Sequence, residues 1–314
     1  MTAPDPPDAL ASSWGLRAPG DVVAAAQLAC LLEVSVPKPG NVSPGKAFPD
    51  TRYEDFLASA AAVGGAFARA GVQPLGVTIR GAVEATGHWT FANTNLGTVL
   101  LLAPLVRAAL LTLGAATGTG ATTGLTAPVL RAMLRRVLET TTVDDARHTY
   151  EAIRRAAPGG LGEVPEQDVA HEPTVTLLAA MQMAASRDDI AREYATGFAT
   201  TFEHGVPALE EARRGGLSWP DAVLELFLTL LASGPDTHIV RRGGEDLARD
   251  VTRAAAEVLA AGGVRSADGR RAIEAFDARL RDPLHLGNPG ATADLTAASI
   301  LVVLLCGGWQ SHLA

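Results

Sequence analysis

Apolar residues recur at spacings of three and four along nearly the whole chain, and that periodicity leaves little room for anything but packed helices. Tyr53, Phe56, Leu57, Ala60, Val63, Gly64 and Phe67 fall on one helical stripe. Ala146, Tyr150, Ile153 and Ala157 form another, opened by Thr142 with Asp145 three residues on as a capping pair. Comparable segments cover 21–36, 75–88, 95–113, 126–139, 173–185, 188–203, 206–214, 219–232, 244–262, 268–281 and 291–308. β-Branched runs are short, and no Asn-Gly or Asp-Gly turn joins two alternating segments. The expectation is an all-α fold of 11–13 helices. Residues 1–20 read as a flexible Pro/Asp/Ser-rich tail and 21–314 as a single compact catalytic domain. The Gly/Thr-rich stretch 114–124 reads as a flexible loop or a domain seam.

Charge and cysteine usage narrow the partners. With 34 acidic against 26 basic residues, the net charge of −8 disfavours a nucleic-acid polymer or an anionic membrane surface. Cys30 and Cys306, both in apolar runs, exclude a disulfide framework and a cysteine-rich zinc site, and fit reduced thiols in the cytoplasm. The opening MTAPDPPDALASSWG lacks the basic-then-apolar order of a signal peptide. Residues 96–114 and 295–308 are strongly apolar, yet the first carries Pro104 and Arg107, and the second is short for a span. Both read as core helices, able to pack within one subunit or across a homodimer, so no membrane partner is expected.

Five breaks between helices carry unusual chemistry. The first, EVSVPKPGNVSPGK (33–46), holds the only two lysines, Lys38 and Lys46, while arginine supplies the other 24 cations. A compact ammonium on a Pro/Gly-fixed path suits a phosphate oxygen. In the second (80–105), Glu84 and His88 share a helix face, and Asn93, Thr94 and Asn95 open a very apolar helix whose start suits an anion. The third, APGGLGEVPEQDV (157–169), sets glycines around Glu163, with Glu166 and Asp168 near. The fourth (233–244) crowds Asp236, His238, Arg241 and Arg242, a set able to hold a metal or polyphosphate, or to be a helix cap with an ion pair. The fifth, LGNPGATADLTA (286–297), places Asp294 at the mouth of an oily helix. Carboxylates for a hard cation, basic groups for phosphates and glycines for close backbone contact are together the composition of a polyphosphate site. No Walker A, Rossmann or nucleophile-elbow pattern is present.

In this order the five segments resemble the triphosphoribosyl-dephospho-CoA synthase family, from about Ala24 to Leu305. The family's Pro-Lys-Pro-Gly segment is similar to Glu33 to Gly40, its Asn-Thr-His helix start to Asn93–Asn95, and its Gly-x-x-Gly-Glu loop to Gly159 to Glu163. Its Asp-Thr…Arg-Gly-Gly segment is similar to Asp236 to Gly244, and its Pro-Gly-x-x-Ala-Asp-Leu segment to Pro289 to Leu295. Asn95 stands where the family has His, and Asn288 where its last motif begins with Ser.

The resemblance implies an all-α enzyme that uses Mg²⁺ and moves the triphosphoribosyl group of ATP to the 2′-hydroxyl of 3′-dephospho-CoA, releasing adenine. It further implies that Asp236, Asp294 and Glu84 serve as metal or base carboxylates, and that Glu33 and Glu163 sit near the ribose. Lys38, Arg241 and Arg242 would contact phosphates, with Gly40, Asn93, Thr94, Asn95, His238 and Gly243 completing the nucleotide site. Two other readings stand beside it: a related nucleotide enzyme with another acceptor, for example in one-carbon metabolism, and a non-catalytic helical binding protein.

Overall fold

The computed structural model describes residues 18–119, 125–160, 162 and 164–309. The helices are α1 (Pro19–Ser35), α2 (Tyr53–Ala62), α3 (Gly64–Phe67), α4 (Leu75–Thr86), α5 (Leu96–Thr119), α6 (Ala127–Glu139), α7 (Val143–Ala156) and α8 (Leu177–Ala184). They continue as α9 (Asp189–Thr196), α10 (Val206–Arg214), α11 (Trp219–Ser233), α12 (Thr237–Gly243), α13 (Glu245–Ala260), α14 (Ala267–Leu280) and α15 (Gly290–Leu305). A π-helical turn precedes α10 and a 3₁₀ turn precedes α14. Among the described residues there is no strand, only an isolated bridge between Ser43 and Lys46. The all-α expectation holds.

The core is built around α15. Every residue from Leu295 to Leu305 is buried, as an all-round apolar helix requires. It packs against α1, α5, α9, α10, α11 and α12. Its hydroxyls are satisfied within the helix: Thr296 donates to Thr292 O and Ser299 to Leu295 O, each at 2.8 Å. The second long apolar helix, α5, is long and apolar enough on its own to cross a membrane, yet most of its apolar stretch is buried inside the protein. Its Arg107 donates to the carbonyls of Ala70 and Gln73. Pro104 cannot donate to Leu100 O four residues back. Tyr194 supplies the missing donor, its hydroxyl reaching that carbonyl at 2.6 Å.

Two expected segments differ in detail. The stretch 188–203 is not one helix, because Gly197 and Phe198 adopt φ of 63° and 61°. The buried Glu193 organises the break, accepting from Thr200 N and Thr201 N at 2.9 Å each and from Thr201 Oγ1 at 2.6 Å. Residues 114–119, expected as loop, continue α5, whereas 120–124 lie outside the described residues, as does most of the expected tail.

Candidate active site

All five unusual breaks meet at one cleft of about 850 Å³, a size suited to a nucleotide-sized ligand. It opens where the C-terminus of α1 and the starts of α5, α9 and α15 face α12 and the 157–169 loop.

Glu33 and Asp294 are two of the acids that line the cleft. Glu33 ends α1 and is gripped by Lys38, whose Nζ stands 2.9 Å from Glu33 Oε1. The same ammonium donates to Val36 O at 3.1 Å and to Glu33 O, so the chain reversal after α1 closes on a fully paired cation. Asp294 accepts from Thr98 Oγ1 at 2.5 Å, and a Cβ on Gly97 would lie 2.0 Å from its Oδ2. Only glycine lets the start of α5 approach so closely, and the anion that this helix start receives is Asp294 itself. Burial pushes the Asp294 carboxyl up to about 7; the negative charges of Glu33, Asp236 and Asp188 add to the effect, against the Thr98 hydrogen bond.

Facing the acids are cations. Arg187, Arg241 and Arg242 line the same cleft. Arg241 Nη1 lies 2.5 Å from Asp188 Oδ2, leaving its buried Nε without a partner. Arg242 donates to Leu284 O at 2.9 Å, and Arg187 forms no ion pair with a described residue. His238 sits one turn before these arginines against the first residue of α15, where a Cβ on Gly290 would lie 2.0 Å from its Nδ1. Burial, then repulsion from Arg241 and Arg242, pulls His238 down to about 4, so it is a neutral imidazole near pH 7.

Asn93, Thr94 and Asn95 also reach the cleft, each with an internal bond. Asn93 Oδ1 caps α5 by accepting from Leu96 N at 3.2 Å, Thr94 shares a 2.5 Å hydrogen bond with Ser59, and Asn95 Nδ2 donates to Thr86 at 3.0 Å.

Several expected residues stand elsewhere. Lys38 is 1% exposed and spends its donors within the protein, so it positions Glu33 rather than meeting a phosphate. Glu84 lies on a separate surface depression with His88, paired to Arg80 at 3.6 Å, which removes it from both the catalytic and the metal set. Asp236 is buried, and its two oxygens accept four bonds, from His238 N, Ile239 N, Thr292 N and Thr292 Oγ1. It ties α12 to α15 and has no free lone pair directed at a metal. Gly40, at φ 77°, donates to Asp277 Oδ1 at 2.9 Å instead of approaching a ligand. Lys46 pairs with the same Asp277 at 2.6 Å. Gly243 packs on Leu247 and Leu286. Glu163 lies outside the described residues, though Glu166 and Asp168 of its loop line the cleft.

Sequence reasoning did not select Asp188, Arg187 or Thr98. Asp188 caps α9, accepting from Ala191 N at 3.0 Å, and an acid before an amphipathic helix carries no signal beyond that cap. Among the described residues no three His, Cys, Asp or Glu side chains gather to hold a metal alone. Asp188 and Asp294 nevertheless share the cleft, and one or two carboxylates are what a phosphate-borne Mg²⁺ takes from a protein.

Residues 19–312 match the family model described as ATP:dephospho-CoA triphosphoribosyl transferase. A Stutzerimonas stutzeri protein described as a 2-(5''-triphosphoribosyl)-3'-dephosphocoenzyme-A synthase is 37% identical over 114 residues, covering 36% of this chain and 38% of its own. The Klebsiella pneumoniae synthase of the same description is 36% identical over 119 residues, covering 37% and 41%. The aligned stretches thus span less than half the length of these curated relatives. A crystal structure from Archaeoglobus fulgidus, described as a triphosphoribosyl-dephospho-CoA synthase, superposes with a TM-score of 0.59 at 27% identity, over 79% of this chain and 98% of that one.

Proposed function

This chain belongs to the ATP:dephospho-CoA triphosphoribosyl transferase family, and from that premise we propose that its cleft transfers the triphosphoribosyl group of ATP to the 2′-hydroxyl of 3′-dephospho-CoA. The observation that carries the reading is a carboxyl raised to about 7, Asp294, beside Glu33 in a cleft that also presents three arginines. Such a group is matched to taking a proton near neutral pH.

In the reaction the C1′–N9 bond breaks with its electrons going to adenine, and a bond forms from C1′ to the acceptor oxygen. Positive charge builds on the ribose between the two events, and Glu33, held in place by Lys38, faces it. Asp294 accepts the proton of the acceptor hydroxyl, and the adenine anion takes one proton from solvent as it leaves, so that Asp294 returns its proton to solvent and the protons balance. Arg187, Arg241 and Arg242 bind the triphosphate, which stays intact. Asp188 would hold the Mg²⁺ that arrives with ATP, an ion that supplies charge neutralisation of the phosphates. The free thiols Cys30 and Cys306 accord with a cytoplasmic location.

Thermal unfolding with MgATP tests the site first. Ligand at 100 times its Kd adds about 2.7 kcal/mol, so a clear upward shift is expected, and Asp294→Asn should keep the shift while losing adenine release. Absence of any shift would favour a non-catalytic helical protein. Ribose triphosphate formed without acceptor would mark a hydrolase.

A further inference from the structure

The cleft wall carries a pair of carboxamides that none of these roles uses. Asn41 Nδ2 donates to Asn288 Oδ1 at 2.7 Å, and both residues line the cleft. Asn41 is 6% exposed, and its Oδ1 is buried with no partner. Its backbone is fixed on both sides, the N–H donating to Lys38 O at 3.1 Å and the carbonyl accepting from Arg281 Nη2 at 2.8 Å. Asn288 Nδ2 makes no bond to a described residue. Buried polar groups are nearly always paired, so an orphaned carbonyl on a ligand cleft is a place for a donor brought by the ligand.

The chemistry of that donor is selective. Phosphates only accept hydrogen bonds and are repelled by a carbonyl. On ATP the donors are the adenine N6 amine and the ribose hydroxyls. A free acceptor beside a free donor matches the N6–H of adenine next to its N1 or N7, the pairing by which carboxamides recognise adenine elsewhere. The location agrees. Asn41 follows Lys38, which grips Glu33, and Asn288 leads into the helix that carries Asp294. All four residues line one cleft, so a base attached to a C1′ held at those two acids can reach the pair.

We propose that Asn41 and Asn288 read the amino edge of the departing adenine and select ATP over 6-oxopurine nucleotides. The inference rests on the transfer reading above, which places C1′ at Glu33 and Asp294. A 6-oxopurine would set its own O6 against Asn41 Oδ1, and turning Asn41 to offer its amide nitrogen would break the bond to Asn288.

The test is equilibrium titration of the full chain, with Mg²⁺, against ATP, ITP, 2′-deoxy-ATP and 3′-deoxy-ATP, repeated for Asn41→Ala and Asn288→Ala. Wild type should bind ATP about tenfold to a hundredfold more tightly than ITP, with both deoxy analogues within about threefold of ATP. Each substitution should weaken ATP towards the ITP value and leave ITP unchanged. If Asn41→Ala does not fold, Asn288→Ala, at a less buried position, carries the comparison. Equal binding of ATP and ITP by wild type, or discrimination that survives substitution, would overturn the proposal while leaving the transfer reading intact. Losses confined to the deoxy analogues would also overturn it, assigning the pair to the ribose. Failure to bind any of the four nucleotides would overturn the transfer reading and this one with it.

Discussion

A lysine with no exposed side-chain surface is tolerable only when its ammonium is paired and its remaining donors are bonded, and Lys38 meets both conditions through Glu33 and two carbonyls. Removing the ammonium leaves a largely buried carboxylate without its counter-charge. Lys38→Met should therefore lower unfolding free energy by about 3 kcal/mol, measured by urea denaturation. Asp294 makes a second prediction at this scale. As a base it must be ionised, so kcat/KM should climb as pH rises through about 7 and level off above. Asp294→Asn should abolish that limb and slow turnover by about 10²–10⁴-fold. The same raised carboxyl makes the folded state hold a proton that the unfolded chain has lost. Its contribution to stability therefore falls as pH rises from the ordinary value of 3.8 to about 7, and Asp294→Asn should flatten that decline. The rarity of Lys38 is visible in the sequence, as is the position of Asp294. Their partners are not, because Thr98 and Asp294 lie 196 residues apart and no local pattern links them.

At the scale of elements, helix identity follows from periodicity, and caps such as Thr142, which accepts from Asp145 N, follow from residue type. Breaks that depend on tertiary partners do not. The interruption at Gly197 and Phe198 exists because Glu193 is buried where two backbone N–H groups can reach it, and an apolar stripe runs through the interruption unaltered. Pro104 within α5 is a further case, a helix breaker by local rules that is accommodated because Tyr194 donates to the carbonyl it frees. Tyr194→Phe should leave Leu100 O buried and unpaired, at a cost of about 1–3 kcal/mol by urea denaturation. A change under about 0.3 kcal/mol would mean that another group satisfies that carbonyl.

Across the whole molecule, an acidic chain of net charge −8 gathers Arg187, Arg241 and Arg242 on one cleft. Arg187 is exposed and bears no ion pair with a described residue, so its loss should spare the fold and act on anion binding. Arg187→Gln should leave thermal stability unchanged and weaken ATP binding about tenfold, as loss of one charge-assisted hydrogen bond predicts. An unchanged Kd would place the phosphates elsewhere. The convergence of all five breaks is the feature the sequence foreshadowed best, since each break already combined Gly or Pro with a charge. It could not say that Lys38, Gly40, Glu84, Asp236 and Gly243 would be turned away from the cleft, because that depends on tertiary partners distant in sequence and on which helix faces the core claims.

The most direct test of the account is chromatography with mass analysis of protein incubated with MgATP, with and without 3′-dephospho-CoA. The account predicts adenine only when the acceptor is present, in equal amount to an adduct heavier than 3′-dephospho-CoA by one triphosphoribosyl group. Consumption of ATP with 3′-dephospho-CoA unchanged, or release of ADP in place of adenine, would contradict it.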